Sequence, residues 1–439
     1  MVINELQVLM NSVPVGRLSR KQLGFMTFAY AASWLEHPAR RPISLSLPLS
    51  PNPYKGEIVR NYFQNLLPDS ETVLSRIQNR LNLPSLHPFD LLAAVGRDCV
   101  GALQFYPIDE PVPPIEAVTG TPVTDTDIEQ LLQSSQEMPL GMSETNNFRI
   151  SIAGAQEKTA LLNYRNRWMI PFGVTPTTHI LKLPIGILMG ANPIDFSLSC
   201  ENEWLCMLLT RLYGFNTAET QIGRFGSAKA LIVRRFDRLL SNDGKKLFRL
   251  PTEDFCQALG IPAINKYEAD GGPGIASIMN LLRMSSQSDL DQETFFKTQI
   301  LFWLLEATDG HAKNFSVFLE KGGGFHLTPL YDIMSTAPLT ASGVVSPRRI
   351  KMAMGLLGKN KHYRFFDIEP RHFLSTATAV GLPIETAKAW LRELAEKTPE
   401  VIKTASRQLP PDFPTNVSEP IFSGMAIRSE KINRFLAAQ

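Results

Sequence analysis

The chain has 439 residues, 44% of them hydrophobic and 20% charged, with a formal net charge of +2. That length exceeds what one hydrophobic core supports, so two or three cooperating subdomains are expected, and the composition excludes a disordered chain. The small net charge is too mild to imply a broad nucleic-acid or membrane surface by itself, although local patches remain open.

Cys99, Cys200, Cys206 and Cys256 include no CxxC pair and read as reduced, buried thiols, which points to a cytoplasmic location. Met1-Val2-Ile3-Asn4-Glu5 carries no basic stretch leading into a long apolar run, so no secretory signal is read there. No apolar run approaches the length of a membrane span, and no membrane partner is expected.

In chain order, residues 6–18 and 25–30 read as short strands. Residues 43–49 alternate Ile43, Leu45, Leu47 and Leu49 with serines and a proline in the same manner. Helices are expected over 61–67 and 71–81, separated by Pro68-Asp69-Ser70, which breaks the chain and recaps it. A proline-punctuated stretch over 106–126 reads as a linker. Beyond it, strands are expected over 148–152, 158–164, 178–183 and 228–236. A helix over 199–213 interrupts them, its apolar stripe carried by Trp204, Leu205, Leu208, Leu209 and Leu212. From 252 onward helical periodicity prevails, with helices over 293–308, 370–380 and 384–396. The expected division is an N-terminal α+β subdomain over 1–110, a β-rich lobe over 111–250 and a mostly helical lobe over 251–439.

The chemistry concentrates in the run from Thr308 to Asp332. Asp309-Gly310-His311-Ala312-Lys313-Asn314 precedes an apolar strand, a Lys321-Gly322-Gly323-Gly324 turn, a second strand and Pro329-Leu330-Tyr331-Asp332. Two strands about a glycine turn signal a hairpin, whose open ends bring Asn314 and Asp332 to roughly 5 Å at the backbone. Phosphoryl transfer needs an oxygen-rich Mg2+ site and a carboxylate for the attacking hydroxyl's proton. Asp309 is the candidate base, and Asn314 and Asp332 the candidate metal ligands. The spacing from Asp309 to Asn314 equals that of the protein-kinase catalytic loop. His311 reads as an orienting or core histidine. The plainer alternative is that Asp309 and Gly310 stop a helix while Asn314 and Asp332 sit in turns.

Upstream, Ser151-Ile152-Ala153-Gly154-Ala155-Gln156-Glu157-Lys158 joins two expected strands through small residues, which lets backbone N–H groups approach phosphate oxygens; a plain hairpin loop has the same pattern. Lys182 stands in an apolar strand and needs an anion, either a nucleotide phosphate or Glu203 on the next helix, unless it lies at a watered edge. In Arg234-Arg235-Phe236-Asp237-Arg238, Phe236 can cover an adenine while backbone groups meet its edge, although a strand with solvated arginines fits equally. Arg348, Arg349, Lys351, Lys359, Lys361 and Arg364 form a basic cluster that reads as a solvated loop, with DNA contact as the alternative.

The segments LSLPL (45–49), NLLPDS (65–70), SIAGAQEK (151–158), HILKLP (179–184), RRFDR (234–238), YEADGGPG (267–274), TDGHAKNFS (308–316) and PLYD (329–332) together resemble the HipA family over essentially the whole chain. The resemblance implies an α+β, two-lobed protein-kinase-like fold, close to the phosphoinositide-kinase branch, with an added N-terminal subdomain. It implies a serine/threonine protein kinase toxin using ATP and Mg2+, paired with a HipB-like antitoxin on operator DNA. Phosphorylation of glutamyl-tRNA synthetase, growth arrest and persistence are implied with it.

Carried over by motif, Asp309 is the base, Asn314 and Asp332 bind Mg2+, Lys182 contacts ATP and Ser151 is an autophosphorylation site. A phosphate on Ser151 adds about −2 charge where ATP phosphates belong, which disfavours the active loop. Arg234 departs from the family's usual glutamate. Two other functions share these motifs: a catalytically weak corepressor that joins an antitoxin on DNA, and an enzyme that transfers AMP.

Overall fold

In the computed structural model, which describes residues 4–21, 24–134, 156, 158–189 and 193–438, Asn11 and Ser12 adopt left-handed backbone angles (φ 47° and 63°). They fold Glu5–Met10 back onto Val13–Arg20. An antiparallel sheet grows from this hairpin in the order Tyr54–Lys55, Met26–Tyr30, Val13–Arg20, Glu5–Met10, Leu103–Pro107. Helices Glu57–Gln64 and Pro88–Val95 deliver Tyr62, Phe63 and Phe89 to the core formed with Phe28 and Phe105. The Phe63 ring centroid lies 5.7 Å from those of both Phe28 and Phe105.

By its contacts the chain divides into two units, neither continuous in sequence. The first comprises Met1–Leu183, Gly223–Ile264 and Ser316–Thr328; the second comprises Pro184–Ile222, Asn265–Phe315 and Pro329–Gln439.

The strand expected over 43–49 does not form; only an isolated bridge joins Ser44 and Leu47. Side chains satisfy this backbone instead of a neighbouring strand. Tyr30 Oη donates to Leu47 O (2.5 Å) and accepts from Ile43 N (2.8 Å), and Leu45 N donates to Glu253 Oε1 (2.7 Å). Pro48 has no N–H to offer a ladder.

A six-stranded sheet follows the order Thr220–Phe225, Ala228–Arg234, His179–Lys182, Lys158–Tyr164, Arg167–Pro171, Gly120–Pro122. The expected linker thus contributes an edge strand, where a proline such as Pro122 need not offer an N–H to a further neighbour. Helix Asp125–Ser134 buries Ile128 and Leu132 against Leu161, Leu181, Ala230 and Ile232. The strand expected over 148–152 lies outside the described residues.

Beside this sheet lies a buried ion network. Asp98 accepts from Arg238 Nη2 (2.9 Å) and Arg249 Nε (3.0 Å), and lies 3.5 Å from Arg235 Nη1. Asp237 receives Arg235 Nη2 (2.8 Å) and Arg238 Nη1 (2.9 Å). Thr177 completes the set, donating to Asp98 through both N and Oγ1.

In the second unit, helices Ser199–Leu212, Ser288–Leu305, Pro370–Ala379, Ile384–Gln408 and Thr415–Ala437 carry most of the core. Trp303 meets Phe373 (5.7 Å), and Phe315 sits against Phe295 (5.0 Å) and Phe302 (5.8 Å). Ile384–Gln408 runs past Pro399, well beyond the expected end at 396. The basic segment is a β-hairpin rather than a loop, Lys351–Leu357 pairing with Lys361–Arg364, with the whole apolar run from Met352 to Leu356 buried. Among the described residues no helix is long and apolar enough to cross a membrane.

Two outcomes follow for stability. Burial pushes the Asp98 carboxyl up, but the Arg238, Arg249 and Arg235 guanidiniums outweigh it and hold the group well below the usual range. Its stabilisation is therefore present at neutral pH and lost as pH falls. Asp98→Ala strands buried arginines and should lower the unfolding free energy by about 3–5 kcal/mol in urea titration. Glu253 behaves oppositely. Burial pushes its carboxyl up to about 8, so its contribution is full below the ordinary glutamate value and is lost as pH rises through about 8. Glu253→Gln should flatten that decline in urea midpoints measured from pH 5 to 9.

Candidate active site

The helix Ser288–Leu305 ends at Glu306, whose φ of 56° turns the chain out of the helix, and the loop 307–315 follows. Gly310 passes so close to Phe302 that a Cβ there would lie 2.2 Å from the ring. Asp309 O accepts two hydrogen bonds, from His311 N (2.8 Å) and from Asn314 Nδ2 (2.7 Å), while Asn314 N donates to His311 O (2.9 Å). The amide nitrogen of Asn314 is thereby tied inward, and its Oδ1 is the atom left to meet a cation.

The Asp309 side chain is 46% exposed. That suits a base that must meet a substrate from solvent. Tyr267 Oη donates to Asp309 Oδ1 and its ring packs edge-on against His311, centroids 4.9 Å apart. His311 Nε2 is 3.6 Å from the same oxygen, and its buried Nδ1 has no hydrogen-bond partner among the described residues. Burial pushes the imidazole below its ordinary range more strongly than the Asp309 and Asp332 carboxylates pull it up, so it is neutral at pH 7.

The expected hairpin is present, Ser316–Leu319 against Phe325–Leu327, but its ladder does not reach Asn314 and Asp332. It ends where Thr328 N donates to Ser316 O (3.0 Å). Pro329 has no donor. Leu330 instead bonds with Asn216 O (2.9 Å) and accepts from Ala218 N (2.8 Å). Asp332 then takes φ 61°, a left-handed angle that aspartate tolerates better than most residues. An amide oxygen and a carboxylate suit Mg2+, which usually takes one or two protein ligands and completes its shell with phosphates and water. The donor set therefore fits that ion.

The remaining candidates belong to the first unit, except Glu203, which is buried in the helix Ser199–Leu212. Lys182 and Lys158 are register partners on adjacent strands and both buried, so their side chains leave the sheet on one face. Gln156 Nε2 donates to Leu183 O (2.7 Å). Ser151, Ile152, Ala153, Gly154 and Ala155 lie outside the described residues. The side chains of Arg235 and Asp237 are engaged in the ion network, and Arg235 N donates to Thr178 O (2.9 Å). What remains toward solvent is the exposed Arg234 and the half-buried Phe236, whose ring lies 5.9 Å from that of Phe318. Tyr267 was given no role by sequence reasoning: the YEADGGPG segment stands out, but nothing local says that its phenol reaches a carboxylate 42 residues away.

A family model described as the HipA N-terminal domain matches residues 6–106, and one described as the HipA-like C-terminal domain matches residues 150–402, more than half of the chain. The chain belongs to the HipA family. This HipA-family chain is 32% identical over 406 residues to a Sinorhizobium fredii protein described as "Putative kinase Y4mE", covering 92% of each. It is 26% identical over 398 residues to the serine/threonine-protein kinase toxin HipA of Shewanella oneidensis, covering 88% of this chain and 86% of that one. Its fold matches a chain from the solved complex of the Shewanella oneidensis MR-1 toxin–antitoxin system, HipA and HipB with operator DNA. The TM-score is 0.82 at 23% identity, over 99% of this chain and 98% of that one. The fold is thus the expected α+β, protein-kinase-like fold of HipA.

Gly310→Ala drives a methyl group into Phe302 in a packed region. Urea unfolding should show a loss of about 1–3 kcal/mol, the usual result of overpacking.

Proposed function

We propose that this HipA-family chain is a serine/threonine protein kinase that uses ATP and Mg2+. The observation that carries this reading is the half-exposed Asp309 carboxylate in a loop whose Asn314 amide is tied by its nitrogen, leaving its oxygen for a cation. Magnesium, when bound, neutralises phosphate charge and orients the transferred group. Asn314 and Asp332 hold it. Asp309 receives the proton of the attacking serine hydroxyl, while neutral His311 keeps the loop in shape.

On the nucleotide side, Lys182 meets phosphate oxygens, an assignment supported by its burial beside its register partner Lys158. The loop of Ser151, Ile152, Ala153, Gly154, Ala155 and Gln156 cradles phosphates through its backbone. Arg234 and Phe236 border the adenine, with Arg235 and Asp237 fixing that strand from behind. Ser151 is the proposed autophosphorylation site that silences the enzyme. The protein substrate we propose is glutamyl-tRNA synthetase, and the partner a HipB-like antitoxin on operator DNA. The partner rests on the family and on the likeness to the Shewanella complex of HipA, HipB and operator DNA, and the substrate on the family resemblance alone.

The test is intact-mass analysis of dephosphorylated protein after incubation with Mg-ATP, alone and with glutamyl-tRNA synthetase. One phosphate should appear on Ser151 and on the synthetase. Asp309→Ala should slow both by roughly 10²–10⁴-fold, the usual contribution of a general base. Asn314→Ala and Asp332→Ala should each raise the Mg2+ concentration needed for half-maximal rate. An AMP adduct would identify an AMP-transferring enzyme instead. No modification of either protein, with operator binding retained, would leave the corepressor.

A further inference from the structure

The YEADGGPG segment, 267–274, has no part in the functions assigned above, yet it makes the only hydrogen bond that the Asp309 carboxylate receives among the described residues. Tyr267 Oη donates to Oδ1, and Oδ2 has no protein partner there. The neighbouring histidine cannot do the same work. His311 Nε2, at 3.6 Å, is beyond hydrogen-bond distance from Oδ1.

The phenol is preset from both sides along the chain. On its N-terminal side, Lys266 O accepts from Ala312 N (3.3 Å), which ties the segment to the catalytic loop itself. On its C-terminal side, the carboxylate of Glu268 accepts from Gly355 N (2.7 Å) and from Lys361 Nζ (2.6 Å), anchoring the short helix Glu268–Asp270 to the 351–364 hairpin. Tyr267 O accepts from Asp270 N (3.1 Å) and Gly272 N (2.9 Å), closing the turn. A Cβ on Gly272 would lie 1.9 Å from Asn265 O, and one on Gly274 would lie 1.9 Å from Glu268 Oε1. The turn therefore closes only with glycine at 272, where backbone stands in the way, while a side chain at 274 would push the Glu268 carboxylate aside; its closure sets where the phenol points.

We infer that Tyr267 is a positioning residue for Asp309. Its hydroxyl locks the carboxylate through Oδ1 so that Oδ2 faces the substrate hydroxyl, and Glu268, held by Gly355 and Lys361, sets the phenol. Tyr267 keeps its own proton throughout, and the hydroxyl proton passes to Oδ2. The inference rests on the reading of Asp309 as the base. It also gives the basic hairpin a task within the fold, through Lys361, that requires no nucleic acid.

The experiment uses the full chain and compares Tyr267→Phe, Glu268→Gln, their double variant and Asp309→Asn. Tyr267→Phe keeps the ring against His311 and removes only the hydroxyl. It should lower kcat by roughly 10- to 100-fold, the scale of a displaced reacting group, with KM for ATP unchanged. Glu268→Gln should lower kcat in the wild-type background and add nothing in the Tyr267→Phe background, since it acts through the phenol. Difference infrared spectra of wild type against Tyr267→Phe should show one displaced carboxylate stretch that is missing in the Asp309→Asn background. This readout depends on neither turnover nor wild-type folding energy. An undisplaced band, or a Tyr267→Phe variant with wild-type kcat beside an inactive Asp309→Asn, overturns the positioning role alone. Additive losses overturn the route through Glu268. An Asp309→Asn variant that still transfers phosphate overturns the reading of Asp309 and this inference with it.

Discussion

A charge removed from water must meet an opposite charge or a set of hydrogen bonds, and this constraint organises both units of the chain. In the first unit, three guanidiniums and two carboxylates close on one another around Asp98 and draw together the segments at 98–101, 177, 235–238 and 249. In the second, Arg428 pairs with the buried Glu306 at the turn that launches the catalytic loop, and Lys361 pairs with Glu268 beside Tyr267. Such pairs add little net stability against an apolar core of the same shape. Their effect is on specificity: a wrong register would leave an unpaired charge buried, so each pair forbids its alternatives.

The same constraint shapes the candidate site by its local relaxation. Asp309 is left half exposed, whereas His311 beside it is buried and neutral. A carboxylate that faces solvent stays available to a substrate, while a neutral imidazole packs without needing a counter-ion. The loop is held through its backbone, two bonds converging on the Asp309 carbonyl, so that the Asp309 carboxylate carries little of the structural load. The phenol of Tyr267 is the exception, the one hydrogen-bond donor to that carboxylate among the described residues.

Much of this was legible along the chain. Strand 158–164, helix 71–80 and the helix beginning at Ser199 follow from alternation, capping and an apolar stripe, and each signal is complete within its own segment. The strand expected over 43–49 failed because alternation reports burial of side chains and says nothing about what satisfies the backbone; here Tyr30 and Glu253 do. The helix Thr415–Ala437 was not read because Pro420 and Gly424 interrupt its periodicity, a break that packing against its neighbours overrides. RRFDR allowed either a nucleotide-facing run or a strand with solvated arginines. The strand ends at Arg234, which is exposed, and the turn that follows sends Arg235 and Asp237 into the ion network.

By itself the sequence determined the α+β character, the family, and the residue types of the candidate site, because the spacing from Asp309 to Asn314 and the glycine turn beyond it are local patterns with a chemical meaning. Tertiary structure alone decided that the hairpin ladder stops at Ser316 and Thr328, that the Asn314 amide is tied to the Asp309 carbonyl, and that Tyr267 holds Asp309. Each of these depends on where a hydrogen bond finds its partner. A donor's identity is written in the chain, but its acceptor is chosen only when packing has excluded water and every other acceptor within reach.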